Sequence, residues 1–314
     1  MKKILITGGT GFIGSYIAKT LLKEKSAVRI LDNEFRNKNT ELEKNAQVEY
    51  IKGDIRDASV VLRASHGIDS IIHLAYINGT KYFYEKPDLV LSVGVKGMIN
   101  ILDAAREKNV SELFLASSSE VYQTPPSVPT PEDVPYFIPS LTNPRYSYAG
   151  GKIISELLTY HLGATFLKKA VIFRPHNVYG PAMGTEHVIP ELLIKLQHIQ
   201  GNTLSIQGTG NETRSFIYID DFVEGILLLL KKGKHREVYN IGTDEEISMK
   251  NLAMLLAKIS GKEITISHTL LKPGSVKRRC PDITKLRKLG FSPKISLAEG
   301  LKKTFLWYNN RHHL

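Results

Sequence analysis

The chain has 314 residues, of which 42% are hydrophobic and 23% are charged, with a net charge of +11 at pH 7. This length supplies a sizeable core, as one large domain or two closely associated ones. Its single cysteine, Cys280, excludes an intrachain disulfide and favours a reducing compartment. The positive charge suits an anionic substrate, and because no nucleic-acid-binding motif accompanies it, we expect no nucleic-acid partner.

The amino-terminal segment MKKILITGGTG combines two lysines with an apolar stretch, as a signal peptide does. The glycines at positions 8, 9 and 11 end this stretch before it reaches the length of an export signal. We therefore expect a cytoplasmic protein. The apolar run GILLLL (225–230) is too short to span a bilayer, so no membrane association is expected.

Short β-branched runs alternate with amphipathic segments through the first half of the chain. Segments such as GSYIAKTLLKEK have helical spacing, and the runs between them have the length and composition of strands. The predicted strands are KILIT (3–7), AVRILD (27–32), VEYIKG (48–53), SIIHLA (70–75), LFLAS (113–117) and AVIFRP (170–175). This alternation predicts an α/β fold with a doubly wound parallel sheet covered by helices on both faces.

The first predicted strand runs directly into GGTGFIG and then into a helix. Gly8, Gly11 and Gly14 permit a tight turn, close approach of a pyrophosphate and close helix–strand packing. The helix N-terminus then presents free N–H groups to the phosphates. Asp32 ends the second strand, where it can accept hydrogen bonds from ribose hydroxyls and repel a 2′-phosphate, and GDIRD (53–57) ends the third. Together these features predict NAD rather than NADP.

Three side chains around the fifth strand and the following helix suggest proton-transfer chemistry. Tyr148 and Lys152, in YSYAGGK, are four residues apart and so share one helix face. The lysine can lower the pKa of the tyrosine, leaving a phenolate that accepts a hydroxyl proton as hydride departs. Ser118, at the end of the preceding strand, can hydrogen-bond the same hydroxyl. Ser118 and Tyr122 also suit a loop beside a sugar.

The strand–helix alternation loosens after about residue 175, where proline and glycine loops multiply. We expect a dinucleotide-binding domain at 1–175, with part of 215–245 returning to it, and a mainly substrate-binding lobe at 176–314. This smaller lobe is predicted to be discontinuous and to form a cleft with the sheet. The proline-rich stretch 124–139 is predicted to be a surface loop near the site.

At this point the chain resembles the extended short-chain dehydrogenase/reductases, in particular the NAD-dependent nucleotide-sugar epimerase/dehydratase family. The resemblance covers nearly the whole length, because the motifs occur in the family's order: TGGTGFIG, Asp32, Asp54, HLAY, SSSEVY, YAGGK, RPHNVYGP, TRSFIYIDDFVEG, YNIGT and RRCPD. It implies a Rossmann domain, tightly held NAD, an active site of Ser118, Tyr148 and Lys152, and transient oxidation of a sugar hydroxyl, usually at C4.

The resemblance also assigns binding residues. The implied cofactor contacts are Gly8, Gly11, Phe12, Ile13, Gly14, Asp32, Asn33, Asp54, Ile55, Leu74, Ala75, Tyr148, Lys152 and Pro175. A nucleoside diphosphate sugar is expected to contact Ser118, Ser119, Asn177, His187, Val188, Arg214 and Arg279. Arginine suits bidentate phosphate contacts. A homodimer formed by helices around 89–108 and 145–162 is likewise implied, and no metal site is predicted.

Glu120 lies in an apolar run, ELFLASSSEV, that is expected to be a buried strand, where a carboxylate is costly unless it is paired or functional. A 4-keto group acidifies the proton at C5, and a nearby carboxylate can remove it and open elimination of a C6 substituent. Glu120 thus resembles the glutamate of the sugar 4,6-dehydratases, whose motif reads Thr-Asp-Glu where this chain has Ser118-Ser119-Glu120. The other interpretations are a sugar-hydroxyl acceptor, a carboxylate that orients the serine and tyrosine, or a partner of a nearby arginine.

Three departures from the family pattern leave the reaction open. Ser119 replaces the aspartic acid that would protonate the leaving C6 hydroxyl. Pro144-Arg145 matches the UDP-glucuronate decarboxylases, but Ala182 stands where those enzymes carry an arginine after Gly-Pro. Gly94 stands where many relatives place an asparagine near the nicotinamide.

The leading hypothesis is a lyase or isomerase of carbohydrate biosynthesis, with dehydratase-type chemistry favoured and Glu120 as the C5 base. A 4-epimerase resembling UDP-glucose 4-epimerase ranks second, and a UDP-glucuronate decarboxylase third. A non-catalytic NAD-sensing protein on the same fold is the alternative of a different class. The nucleotide base, the sugar and the pathway stay open.

Overall fold

The computed structural model describes residues 2–36, 40–271 and 274–311. The chain forms two compact units. The first unit comprises Met1–Gln123, Tyr136–Pro175 and Val223–Tyr239, and the second comprises Thr124–Pro135, His176–Phe222 and Asn240–Leu314. Among the described residues, no helix is both long enough and apolar enough to cross a membrane.

A seven-stranded sheet is the framework of the first unit. Its strands are β1 (Lys3–Thr7), β2 (Ala27–Asp32), β3 (Val48–Lys52), β4 (Ser70–His73), β5 (Glu112–Ala116), β6 (Lys169–Pro175) and β11 (Glu237–Ile241), in the order β11-β6-β5-β4-β1-β2-β3. The pairings from β3 through β6 are all parallel. The chain therefore winds outward twice from β1, in opposite directions, and the α/β fold class expected from the sequence is confirmed.

Helices connect these strands. They are α1 (Phe12–Lys23), α2 (Thr40–Glu43), α3 (Ala58–Ala64), α4 (Thr80–Glu85), α5 (Pro87–Leu91), α6 (Gly97–Glu107), α7 (Tyr146–Leu157) and α9 (Ile219–Lys232). A π-helical turn, Ser92–Lys96, joins α5 to α6, and a second, Leu158–Leu162, extends α7. The core beneath the helices α3, α5, α6 and α7 consists of aliphatic and aromatic side chains, among them Leu5, Ile71, Leu102, Leu113 and Ile172.

In the described part of the chain, the second unit is built from short strands and four further helices. Its strands are β7 (Val178–Tyr179), β8 (Thr203–Gln207), β9 (Thr213–Ser215), β10 (Ile217–Tyr218), β12 (Glu246–Ser248), β13 (Thr265–Thr269) and β14 (Arg278–Arg279). They pair as β10-β7, β12-β9-β14 and β13-β8. The helices are α8 (Val188–Gln197), α10 (Met249–Ile259), α11 (Thr284–Arg287) and α12 (Leu297–Arg311).

Candidate active site

The turn between β1 and α1 is shaped by its glycines. Gly8 has φ +71°, and a Cβ added there would lie 2.8 Å from the Ala75 amide nitrogen. A Cβ at Gly14 would overlap the Gly8 carbonyl oxygen and lie 2.7 Å from the Gly9 Cα. Only glycine fits these positions, because strand, turn and helix backbones are in direct contact there. The turn is thus closed tightly enough to seat a pyrophosphate against the backbone.

The first turn of α1 is suited to an anion. Gly11 is its N-cap and offers no side-chain hydrogen bond to the helix, and the first turn, which starts with Phe12 and Ile13, contains no acidic residue. Its backbone N–H groups therefore lack a capping side chain and carry the positive end of the helix dipole. These features fit the pyrophosphate of a dinucleotide.

Two carboxylates lie at the ends of the neighbouring strands. Asp32 accepts hydrogen bonds from the amides of Thr10 (3.0 Å) and Glu34 (2.8 Å), which fixes it beside the glycine turn. Asp54 is bonded to the Arg56 guanidinium, and this hydrogen bond lowers the pKa of the carboxyl to about 2. Asn33 donates to the same carboxylate at 3.2 Å. The predicted cofactor residues of β2 and β3 therefore form one connected edge, which Ile55, buried next to Asp54, continues.

The end of β4 is tied to the end of β1. The Thr7 hydroxyl is 2.7 Å from Nδ1 of His73, and the Ala75 amide donates to the same hydroxyl at 3.3 Å. Leu74 donates its amide to the Thr7 carbonyl oxygen at 3.1 Å. Burial, followed by the charge of Lys152, lowers the pKa of His73 to about 3, so its imidazole is neutral. This arrangement holds Leu74 and Ala75 against the glycine turn.

One face of α7 meets the segment that follows β5. Lys152 donates from Nζ to the Ala116 carbonyl oxygen at 2.6 Å, and Nη2 of Arg145 lies 3.7 Å from Oε1 of Glu120. Arg145, Tyr148 and Lys152 occupy positions i, i+3 and i+7 of the helical turn region, so they share a face. Both ends of this face contact residues 116–120, and Tyr148 lies between them on the same face of α7.

Lys152 is almost wholly buried, with 3% of its surface exposed. Burial lowers the pKa of its ammonium to about 7, against an opposing effect of the Glu156 charge. Its Nζ lies 5.8 Å from the centre of the Tyr148 ring. The tyrosine ring itself is buried and stacks on Phe83 at 4.6 Å. A cation this close to a phenol favours the phenolate, which is the form that accepts a proton.

Glu120 lies in a 3-10 turn, Ser119–Tyr122, whose N-cap is Ser118. The Ser118 hydroxyl accepts a hydrogen bond from the Glu120 amide at 3.1 Å. The carboxylate of Glu120 is 18% exposed, faces Arg145, and lies 3.4 Å from the side-chain nitrogen of Gln123. The strand has already ended at Ala116, so Glu120 is not a buried strand residue, and the arginine partner weighed from the sequence is present.

Tyr122 lies in the interior of the first unit and not in an exposed sugar loop. It is buried, and its hydroxyl accepts a hydrogen bond from Nη1 of Arg174 at 2.6 Å. Arg174 is itself fully buried and forms two hydrogen bonds with Glu156, at 2.9 and 2.7 Å. Ser117 and Tyr136 also bond to the Glu156 carboxylate. This network anchors the carboxyl half of α7 to β5 and β6 below the catalytic face.

In the second unit, the predicted substrate residues lie on β9, on β14, at the start of α8 and in the turn before β7. Asn177 has φ +42° and donates to the Ser215 carbonyl oxygen at 2.7 Å. Arg214 and Arg279 are direct neighbours across the parallel strands β9 and β14, and Arg214 donates to the Lys277 carbonyl oxygen at 3.2 Å. His187 is the N-cap of α8 and Val188 its first residue.

Several contacts around the site have no signal in the sequence. Tyr76, Phe83 and Gln123 approach the catalytic residues only through the fold. Glu156 could have been noticed, because it lies four residues after Lys152 on the same helix. Of the remaining predicted residues, Ser119 is buried beside Ser118, and Pro175 ends β6 at the carboxyl edge of the sheet.

The doubly wound sheet, the glycine turn and the tyrosine–lysine face of α7 together define a dinucleotide-binding protein of the short-chain dehydrogenase/reductase type. The chain belongs to the NAD dependent epimerase/dehydratase family, whose model matches residues 4–242. It is therefore an NAD-dependent enzyme, and the expectations of family and cofactor drawn from the sequence are confirmed.

Relatives with different reactions resemble the chain to a similar degree. It is 33% identical to the dTDP-D-glucose 4,6-dehydratase of Bos taurus, covering 99% of this chain and 90% of that protein. It is 32% identical to the UDP-N-acetyl-alpha-D-glucosaminuronate decarboxylase of Bacillus cytotoxicus, covering 98% of each. The NAD complex of the Thermus thermophilus UDP-glucose 4-epimerase superposes with a TM-score of 0.88 at 28% identity, covering 98% of this chain and 99% of that one.

Proposed function

We propose that the enzyme acts on a nucleoside diphosphate sugar through transient oxidation at C4, and that dehydratase-type chemistry follows. The observation that carries this proposal is the position of Glu120. Glu120 lies in the 3-10 turn after β5, on the segment 116–120 that Arg145 and Lys152 contact from α7. The shared helix face of Arg145, Tyr148 and Lys152 supports a common site for base, phenol and ammonium. The similarity to a 4,6-dehydratase over 99% of the chain supports the same reaction class.

Each catalytic side chain has a defined task in this proposal. Bound NAD supplies the acceptor for the hydride that leaves the sugar carbon. Tyr148 takes the proton of the C4 hydroxyl, and Lys152, in its ammonium form, stabilises the phenolate that does so. Ser118 hydrogen-bonds the same hydroxyl and orients it. The cofactor is held by the glycine turn, by Asp32 at the ribose, and by the other strand-end residues predicted from the sequence.

Glu120 is the proposed base at C5. Arg145 lies at 3.7 Å, too far for a strong hydrogen bond, so it provides a positive charge without covering the carboxylate tightly. The side chain of Glu120 is 18% exposed. After C5 deprotonation, loss of a C6 substituent needs an acid, and Ser119 is a poor one. A bound water or the substrate itself has to supply that proton.

The weak acid at position 119 is the observation that favours a second candidate, a nucleotide-sugar 4-epimerase. That reaction needs no C5 base, and Glu120 then accepts a hydrogen bond from a sugar hydroxyl. Decarboxylation ranks third: Arg145 favours it, and Ala182, in place of an arginine, opposes it. A non-catalytic NAD-sensing role requires the tyrosine–lysine arrangement to have no chemical use, so it ranks last.

We further propose that the second unit binds the nucleoside diphosphate and that the enzyme is a homodimer. The adjacent pair Arg214 and Arg279 suits a pyrophosphate, and Asn177, His187 and Val188 are the accompanying contacts. The dimer proposal rests on four large apolar side chains of α5–α7 that are 38–47% exposed: Leu91, Ile99, Ile154 and Leu157. Exposed apolar residues grouped on neighbouring helices are typical of an interface.

A panel of UDP-, GDP-, dTDP- and CDP-sugars incubated in heavy water, with products weighed by mass spectrometry, tests the proposal. Loss of water together with uptake of one deuteron is the expected result. An isomerised sugar without deuterium would establish the epimerase, and loss of carbon dioxide the decarboxylase. Retention of NAD with no change in any sugar would favour the NAD-sensing role.

Glu120→Gln is the matched variant for this experiment. It keeps the size and the hydrogen-bonding capacity of the side chain but removes the base. We expect loss of C5 solvent exchange, with C4 oxidation partly surviving, because Tyr148 and Lys152 are unchanged. Undiminished deuterium uptake in the variant would rule out Glu120 as the C5 base.

A further inference from the structure

Tyr76, in the loop after β4, packs directly on the tyrosine–lysine pair. Nζ of Lys152 lies 3.9 Å from the centre of the Tyr76 ring, a cation–π contact. The same ring meets Tyr148 edge to face, with centroids 5.1 Å apart and planes at 83°. Tyr76 therefore touches both members of the pair, although neither the roles proposed above nor the predicted cofactor contacts include it.

Two glycines make room for this ring. A Cβ built on Gly94, in the π-helical turn before α6, would overlap the Tyr76 hydroxyl and its Cζ, and would lie 2.6 Å from its Cε2. A Cβ built on Gly151, on α7, would overlap only the hydroxyl and would lie 3.5 Å from Cζ. The ring thus occupies the space that a side chain at position 94 would need. Tyr76, Gly94 and Gly151 form an interlocked set, called here the Tyr76 slot.

We propose that Tyr76 is a positioning residue of this enzyme: held in the slot, its ring stabilises the Lys152 ammonium and fixes it beside Tyr148. The ring face carries the negative part of the aromatic quadrupole, so it attracts a cation and has no such attraction for a neutral amine. The packing part of this proposal is independent of the proposed reaction; its effect on catalysis rests on the proposed function.

The groups around Lys152 explain why its ammonium depends on the attraction of the Tyr76 ring. Burial acts against the ammonium and lowers its pKa to about 7. Of the groups packed around it, Glu156 on α7 favours the charged form, and neutral His73 at the end of β4 offers no counter-charge. The Tyr148 ring centre lies 5.8 Å from the ammonium, farther than the Tyr76 ring centre at 3.9 Å, so its attraction is the weaker one until Tyr148 ionises. The Tyr76 ring supplies attraction throughout the cycle.

The slot is tested first by thermal unfolding. Gly150→Ala is the matched control, because nothing lies within 4 Å of a Cβ there, and it should keep or raise the melting temperature. Gly151→Ala should lower it by about 3–8 °C through overlap with the Tyr76 hydroxyl. Tyr76→Phe should rescue Gly151→Ala but not Gly94→Ala, whose Cβ still overlaps the ring. Equal melting temperatures for Gly150→Ala and Gly151→Ala would contradict the close packing of Tyr76 against Gly151 in the Tyr76 slot.

The effect of Tyr76 on Tyr148 and Lys152 is tested by a pH titration of the NAD-bound protein, followed by tyrosinate absorbance. The titration of the same protein carrying Tyr148→Phe is subtracted. The difference reports Tyr148 alone. Tyr76→Leu should raise the midpoint by about 0.5–1 pH unit, because the ammonium is lost earlier and stabilises the phenolate less. Tyr76→Phe retains the ring and should leave the midpoint unchanged.

A Tyr76→Leu midpoint equal to that of the wild type would overturn the proposal and leave Tyr76 with a packing role only. Neither measurement uses a sugar substrate. Failure of the proposed reaction would therefore appear in the nucleotide-sugar panel and would leave both the slot and the titration unaffected. Once a substrate is known, Tyr76→Leu should lose turnover at alkaline pH sooner than Tyr76→Phe does.

Discussion

Replacing Lys152 with methionine should stabilise the protein most at low pH. The wild-type ammonium is buried, and burial lowers the pKa of Lys152 from 10.5 to about 7 in the folded state. Between these two values the unfolded chain holds a proton that the folded chain has released. The free energy of unfolding of the wild type therefore rises with pH in this window, whereas methionine contributes no such dependence.

The size of the effect follows from the same shift. One proton per molecule corresponds to about 1.4 kcal/mol per pH unit. Between pH 6.5 and pH 9, allowing for partial titration near pH 7, the wild type should gain about 2.5 kcal/mol relative to Lys152→Met. The lost hydrogen bond to the Ala116 carbonyl oxygen costs about 1–3 kcal/mol in the variant, but at both pH values, so it cancels from the difference.

Urea unfolding of both proteins at pH 6.5 and pH 9, with NAD saturating, measures this difference. Lys81→Met serves as the control, because Lys81 is exposed on α4 and its replacement should have the same effect at both pH values. If the difference in free energy of unfolding between wild type and Lys152→Met changed by less than about 0.5 kcal/mol from pH 6.5 to pH 9, the lowered pKa of Lys152 would be contradicted. Such a result would mean that the folded protein holds the Lys152 proton as firmly as the unfolded chain does.

The other predictions concern the buried network, the cofactor turn and the proposed dimer face. Arg174→Met leaves the Glu156 carboxylate buried without its cation and should lower the free energy of unfolding in urea by about 3–5 kcal/mol. Adding Glu156→Leu to this variant should recover most of the loss. Equal stability of the single and the double variant would contradict this prediction. Gly14→Ala should abolish NAD retention, measured as nucleotide released on denaturation, and full retention would contradict the closed turn. Glutamate at both Ile154 and Leu157 should convert a dimer to a monomer in light scattering, whereas an unchanged mass would exclude this face.

The sequence predicts those features that local patterns determine. The strand that runs into Gly8, Gly11 and Gly14 predicts the cofactor turn, because the steric requirement for each glycine arises within that one turn. The four-residue spacing of Tyr148 and Lys152 places both on one helix face whatever the rest of the chain does. Strand ends were predicted within two residues for six of the seven strands of the large sheet, since β-branched runs stop where the turns begin, whereas β11 was not predicted as a strand.

Contacts between distant segments could not be predicted in this way. Tyr76 reaches Lys152 only because β4 and α7 are brought together by the parallel sheet, and nothing local to residue 76 indicates it. The environment of Glu120 is similar: its arginine partner is 25 residues away in sequence, at the start of α7. Arg174 resembles any strand arginine until the fold buries it against Glu156. The sequence motifs therefore predict the catalytic groups, whereas the charges that surround these groups depend on the tertiary structure.

In the proposed reaction, the hydride taken from C4 is returned to the same sugar within one turnover. The most direct measurement uses the nucleotide sugar identified by the panel, deuterated at C4, and follows the label in the product by mass spectrometry and NMR. We expect every product molecule to retain the deuterium, at C6 for a dehydratase or at C4 for an epimerase. Product without the label, with deuterium released to water, would contradict the proposed redox-neutral cycle.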